Sequence, residues 1–171
     1  MAYCLDANTF IEAKNRYYGL DFCPAFWDWI DRERDAGDLL CVAAIYDEIA
    51  NGNDDLATWI RARKQHTWLR AIEPQNVQEA YRTVVAHVES KRDDPYTDAA
   101  IADFMGGADP WLIAYALANE HTIITHEVAN PNIKRRIPIP NVCNALDITF
   151  ITPYDALRQL RAQFVLQAPA T

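Results

Sequence analysis

The sequence predicts an α/β domain, a three-layer α/β/α arrangement with a central parallel sheet covered by helices on both faces. Two observations carry this. Short apolar runs alternate with longer stretches of helical periodicity along the whole chain, the pattern of strands joined by helical crossovers. The runs are apolar throughout rather than polar on every second residue, as strands buried on both faces require. The chain has 171 residues, half of them apolar, which suffices for one core. With no Gly/Ser linker and no internal repeat, residues 1–166 are expected to form one domain and Gln167–Thr171 a frayed tail.

Ala2-Tyr3-Cys4-Leu5 reads as the first strand, stopped by Asp6. Asn8 and Thr9 offer capping oxygens, and Thr9-x-x-Glu12 fits a capping box for a helix beginning there. A second helix is expected from Pro24 to Ala36, ended by Gly37, and a second strand over Asp38–Val42. Helices follow at Ala44–Ala50, Asp54–Lys64, Pro74–Lys91 and Tyr96–Phe104, with a short strand at Thr67-Trp68-Leu69 between the second and third. The Pro74–Lys91 stretch carries Val77, Ala80, Tyr81, Val84, Val85 and Val88 at helical spacing. After Gly106-Gly107, Asp109 reads as the N-cap of a helix from Pro110 to Asn119. Thr122–Thr125 is a strand, followed by a Pro- and Lys/Arg-rich loop. Ile148–Ile151 is the last strand and Pro153–Gln163 the closing helix.

Sixteen Lys and Arg face 24 Asp and Glu, a formal net charge of −8. That excludes a broad basic surface of the kind that coats duplex DNA. No apolar run approaches the roughly 18 residues of a membrane span, and the opening MAYCLDANTF does not read as a secretory leader. The four cysteines, Cys4, Cys23, Cys41 and Cys143, are scattered without a Cys-x-x-Cys. They predict neither a zinc finger nor a disulfide framework, but a chain kept in a reducing, cytoplasmic compartment.

Four acids fall where an α/β sheet puts its chemistry. In open sheets ligands bind outside the carboxyl ends of the strands. Asp6 follows one such end directly, and Glu127 lies two residues past another; acids there are also ordinary loop and capping residues. Glu48 shares a helix face with Ile45 and Ile49, so it requires a partner, a cation or a route to solvent. Asp109 begins a helix, where a carboxylate commonly caps backbone N–H groups. Converging without a cation, these carboxylates would repel one another. Such a set of hard oxygen ligands suits Mg²⁺ or Mn²⁺, which activates water for attack on a phosphodiester.

The residues that carry this pattern also carry a resemblance. Leu5-Asp6-Ala7-Asn8-Thr9-Phe10-Ile11, Tyr46-Asp47-Glu48-Ile49-Ala50-Asn51-Gly52, Ala108-Asp109-Pro110-Trp111-Leu112-Ile113-Ala114 and Ile123-Ile124-Thr125-His126-Glu127 stand in the order and spacing of PIN-domain proteins. The stretch from Asp6 to Tyr18, with Ala108–Ala114, resembles a bacterial PIN-like subfamily, DUF4411. The resemblance implies an α/β/α sandwich and a Mg²⁺- or Mn²⁺-dependent endoribonuclease, often the toxin of a type II toxin–antitoxin pair. Asp6, Glu48 and Asp109 match the three principal acids. Glu127 stands where Asp is more usual, which implies a contact through water or to a second ion. Asn8 and Thr125 match supporting polar residues.

Phosphate then has to be recruited by local cations. Lys134, Arg135 and Arg136 follow Glu127, with Lys14 and Arg16 as further candidates; a solvated loop is the plain alternative for the basic run. His126 adjoins the site. Trp27, Trp29, Tyr17 and Tyr18 offer rings for base stacking, although helical spacing favours core packing or a dimer surface. Asp103 reads as a solvated helix residue and Asp93-Asp94 as a turn. The expected partners are an RNA substrate, a protein antitoxin laid over the acidic groove and a second copy of the chain. Two other readings remain: a degenerate PIN module that binds RNA or protein, and a haloacid-dehalogenase-type phosphatase with Asp6 as nucleophile, whose second Asp is here Asn8.

Overall fold

A computed structural model describes residues 2–65 and 68–165. Among these residues five strands occur: β1 (Tyr3–Leu5), β2 (Leu39–Val42), β3 (Leu69–Arg70), β4 (Thr122–Ile124) and β5 (Phe150–Ile151). They are all parallel and lie in the order β3-β2-β1-β4-β5. Cys4 sits opposite Leu40 on one side and Ile123 on the other. The chain therefore builds outward from β1 to β3, then returns to the far side of β1. That reversal opens a crevice beyond the carboxyl ends of β1 and β4.

Consecutive residues of β2 and β4 are all buried. Since neighbouring strand residues point to opposite faces, both faces must be covered by helices. The covering elements are α1 (Ala7–Glu12), continued by a π-helical turn over Ala13–Tyr17, α2 (Pro24–Ala36), α3 (Ala43–Ala50) and α4 (Asp55–Arg61). After β3 come α5 (Gln75–Glu89), α6 (Asp98–Gly106) and α7 (Asp109–Asn119); α8 (Ile139–Ala145) and α9 (Pro153–Gln159) flank β5. Trp27, Trp29, Phe10, Leu112 and Ile113 are buried in one continuous core, each large side chain stabilising the fold by roughly 1.5–3 kcal/mol. Trp27 and Trp29 are thus packing residues rather than a stacking platform.

Local signals placed most helices. Pro24 opens α2, and Gly37, at φ 84°, closes it in the left-handed region that glycine enters without strain. Asp54, Thr97 and Thr152 cap α4, α6 and α9. Four expectations need correction. The first helix starts at Ala7, not Thr9: extended Asp6 is its cap and accepts from the Asn8 N–H, while the Thr9 hydroxyl donates to the Ile124 carbonyl at 3.1 Å. Asp109 is not a cap either, since Ala108 holds that position and the Asp109 side chain makes no capping bond. The expected loop after β4 contains α8, a seven-residue helix with Pro140 in its first turn, too short to show a clean period. The closing helix ends at Gln159, with Leu160 already outside helical geometry.

Strand β3 begins two residues and ends one residue later than expected, and Thr67 lies outside the described residues, as do His66 and the tail Gln167–Thr171. The cysteines are all free. Burial pushes the Cys4 and Cys143 thiols up to about 12, so both behave as small hydrophobes. Among the described residues no helix is long and apolar enough to cross a membrane.

Candidate active site

Asp6 is the fixed point of the site. It leaves β1 as the chain turns into α1 and is fully buried. Oδ1 accepts from the Asn8 N–H at 3.2 Å, and Oδ2 accepts from the Thr125 hydroxyl at 2.8 Å. Thr125 Oγ1 in turn accepts from the Glu127 N–H at 3.1 Å. The ends of β1 and β4 are thereby tied across the crevice. Burial pushes the Asp6 carboxyl up to about 6, against the lowering effect of those two hydrogen bonds; the Glu48 charge raises it further and Arg136 lowers it.

Three elements complete the cleft, a cavity of about 470 Å³ lined by Asn8, Glu48, Asp103, Asp109, Glu127 and Arg136 among others. Glu48 comes from α3, which follows β2, and reaches solvent on the exposed edge of its helix. Asp109, in the first turn of α7, makes no hydrogen bond or ion pair within the described residues. Burial, then the charges of Asp6 and Glu48, push its carboxyl up to about 7. Asp103, read from sequence as a solvated residue, is exposed but lines the same cleft and adds to the Asp109 shift. Gly106 and Gly107 break the chain between α6 and α7, folding Asp103 back toward Asp109. That break was visible in sequence; its direction was not.

Arg136 is the cation that enters this cluster. Its guanidinium pairs with Glu127 Oε1, while Glu127 Oε2 accepts from the Ile139 N–H at 2.7 Å, at the start of α8. Both oxygens of Glu127 are therefore engaged, and Arg136 acts as an internal counterion to the acids. The other cations are placed differently. Lys14 bridges Asp54 and Asp55 at 2.8 and 2.9 Å, and Arg16 pairs with Glu12 at 2.8 Å, so both are held by acids away from the cleft lining. Lys134 and Arg135 are exposed, and their side chains make no ion pair among the described residues. Asn8 supports Asp6 through its backbone N–H and lines the cleft. Burial shifts His126 downward, toward the neutral ring rather than a phosphate-binding cation.

The donor set fits a hard divalent cation. Glu48 and Asp109 carry carboxylate oxygens without protein partners among the described residues, and burial first, then the charges of Asp6 and Glu48, raise the proton affinity of Asp109. Among the described residues no three His, Cys, Asp or Glu side chains are grouped tightly enough to form a finished ion cage.

A family model described as a domain of unknown function, DUF4411, matches residues 3–164. The chain belongs to the DUF4411 family. Its fold is that of PIN-domain proteins. The VapBC2 structure from Rickettsia felis, bound to a DNA fragment from its promoter, superposes with a TM-score of 0.55 at 9% identity, covering 89% of this chain and 98% of that one. FitAcB from Neisseria gonorrhoeae gives a TM-score of 0.50 at 14% identity, with the same coverages. No curated protein matches the DUF4411 chain. At such identities the likeness shows the shared fold, and the chemistry of this DUF4411 protein has to be argued from its own cleft.

Proposed function

We propose that this DUF4411 protein is a Mg²⁺- or Mn²⁺-dependent endoribonuclease, the toxin of a toxin–antitoxin pair. The observation that carries the reading is the cluster of Asp6, Glu48, Asp109 and Glu127 at the crevice between β1 and β4, with Asp109 free of protein partners. Glu48 and Asp109 would hold the ion from two helices, and Asp6 would fix its position through the oxygens that Asn8 and Thr125 orient. Glu127, held by Arg136 and Ile139, would act on an ion through water. A divalent cation bound there supplies a lowered water pKa and charge compensation at the phosphate.

The chain's own residues do the rest. Arg136 stands beside the acids and offers N–H donors to a phosphate oxygen in the geometry guanidinium prefers. Lys134 and Arg135 supply exposed charge for recruitment. The toxin assignment draws support from the fold shared with VapBC2 and FitAcB. An antitoxin segment would cover the acidic cleft, opposing its carboxylates with basic side chains.

A phosphatase reading has no such support. Asp6 is fully buried with both oxygens hydrogen-bonded, which disables it as a nucleophile. The test is cleavage of single-stranded RNA with Mn²⁺ by wild type, Asp6→Asn and Asp109→Asn. Loss of cleavage in both variants, with RNA binding retained, is the expected result. Equal cleavage by all three proteins refutes the reading.

A further inference from the structure

Beside the acidic cleft lies a second cavity, of about 410 Å³. Asn8, Glu127 and Arg136 line both, so the two adjoin across these residues. The second differs in chemistry: beside Glu12 and Glu127, His126, Val128, Ile133 and Pro138 give it ring and apolar walls, and Asn130 lies on its rim. A chain seated in the cleft at Arg136 has this cavity as its neighbour.

The walls are built rather than incidental. The His126 ring is stacked on Tyr17, with centroids 6.1 Å apart and planes at 25°. Tyr154 meets His126 edge-on at 6.0 Å and 80°, and meets Tyr17 at 6.0 Å and 77°. The loop opposite is clamped by Asn141, whose Oδ1 accepts from the Asn130 N–H and whose Nδ2 donates to the Asn130 carbonyl, both at 2.8 Å. Nδ2 of the same Asn141 also donates to the Tyr96 hydroxyl at 3.1 Å. Val128, on the rim of this cavity, is 80% exposed. A ring braced from behind, with an exposed apolar group beside it, offers a surface for a flat, partly apolar ligand.

We propose that this cavity is the subsite for one unpaired nucleobase of single-stranded RNA, the base next to the phosphate seated at Arg136. This rests on the nuclease reading of the acidic cleft. The His126 ring, braced by Tyr17 and Tyr154, is the stacking wall, and Val128 with Ile133 covers the other edge. Asn8 carries an amide able to donate to and accept from the base edge, and Asn130 adds its Nδ2 donor, its Oδ1 already accepting from the Asn132 N–H at 3.1 Å. A base inside a duplex is stacked and paired on both sides and cannot enter, so the subsite selects single strands. It also explains how so acidic a protein engages RNA: stacking supplies affinity that its net charge does not.

The test is fluorescence anisotropy with a labelled single-stranded decaribonucleotide and Ca²⁺, run beside cleavage of the same RNA with Mn²⁺. His126→Ala and Val128→Asp are each expected to weaken binding about tenfold, the loss typical of one stacked base. His126→Phe should restore it, and the KM of cleavage should rise in step while kcat holds. The same sequence as a duplex should bind far more weakly. Val128 is exposed enough for its substitution to leave folding intact. Wild-type affinity in both variants, or equal affinity for the duplex, overturns the subsite. If wild type binds RNA and the variants do not, but no RNA is cut, the subsite stands and the nuclease reading falls. If wild type binds no RNA, both fall, and a protein ligand takes their place.

Discussion

The Thr125 hydroxyl donates to Asp6 Oδ2 at 2.8 Å across 119 residues of sequence. Through it, the strand ends on the two sides of the topological reversal share one hydrogen bond. It stabilises the ionised form of a carboxylate that burial would otherwise protonate.

Replacing Thr125 by Val keeps the volume and removes that donor. Asp6 then loses one of its two hydrogen bonds in a buried setting, a cost of about 1–3 kcal/mol. Its carboxyl rises above about 6, so the acid limb of RNA cleavage should move to higher pH. Thermal unfolding and a pH–rate profile check this; an unmoved limb would show that Thr125 does not govern Asp6.

The ion-free protein should lose stability as pH rises. Asp6 and Asp109 bind protons more tightly in the folded chain, near pH 6 and 7, than at the ordinary 3.8. Between roughly pH 4 and 7 the folded state therefore holds more protons than the unfolded one, and stability falls across that window. Asp6 alone accounts for about 3 kcal/mol of this loss. Mn²⁺ should raise the melting temperature strongly at pH 8 and little at pH 5, and Asp109→Asn should flatten the ion-free profile. Denaturant unfolding in EDTA at several pH values decides it. A stability that climbs with pH would contradict the assignment.

Arg136 and Glu127 separate counterion from scaffold. Arg136→Ala removes the guanidinium that lowers the proton affinity of Asp6 and Asp109. It should raise the KM for RNA about tenfold, as expected for losing one charge-assisted contact. Glu127→Ala should instead destabilise the fold by about 1–3 kcal/mol, because the Ile139 N–H loses its acceptor. Glu127→Gln, which keeps an oxygen for that N–H, should recover most of the loss. Melting curves and initial rates for the three variants suffice, and identical behaviour of Glu127→Ala and Glu127→Gln would disprove the scaffold role.

Gly37→Ala isolates a purely conformational effect. A Cβ at Gly37 meets nothing within 4 Å, but φ is 84°. The expected cost is about 1 kcal/mol from left-handed backbone alone, with RNA cleavage unchanged. Urea denaturation measures it; a neutral or stabilising result would mean that the α2 terminus relaxes.

Sequence by itself determined the elements whose signals are local. Pro24 and Gly37 bound α2 because proline fixes φ and glycine tolerates its reversal. Apolar runs marked β1, β2 and β4 because burial on both faces demands them. Asp6, Asp109 and Glu127 were legible for the same reason, each lying at or near a strand end or helix start fixed by neighbours along the chain, and Glu48 through the helix face it shares with Ile45 and Ile49. Tertiary structure alone decided what those residues meet. Asp6 became a cap because α1 begins under it, and Thr9 was drawn off to Ile124 on another strand. Lys14 went to Asp54 and Asp55, which folding brought beside it, whereas Arg16 pairs with Glu12 one helical turn away; Arg136 entered the cleft through a loop whose path no periodicity describes. Charge pairing and cavity shape depend on distances across the fold, and local sequence preference carries no record of those.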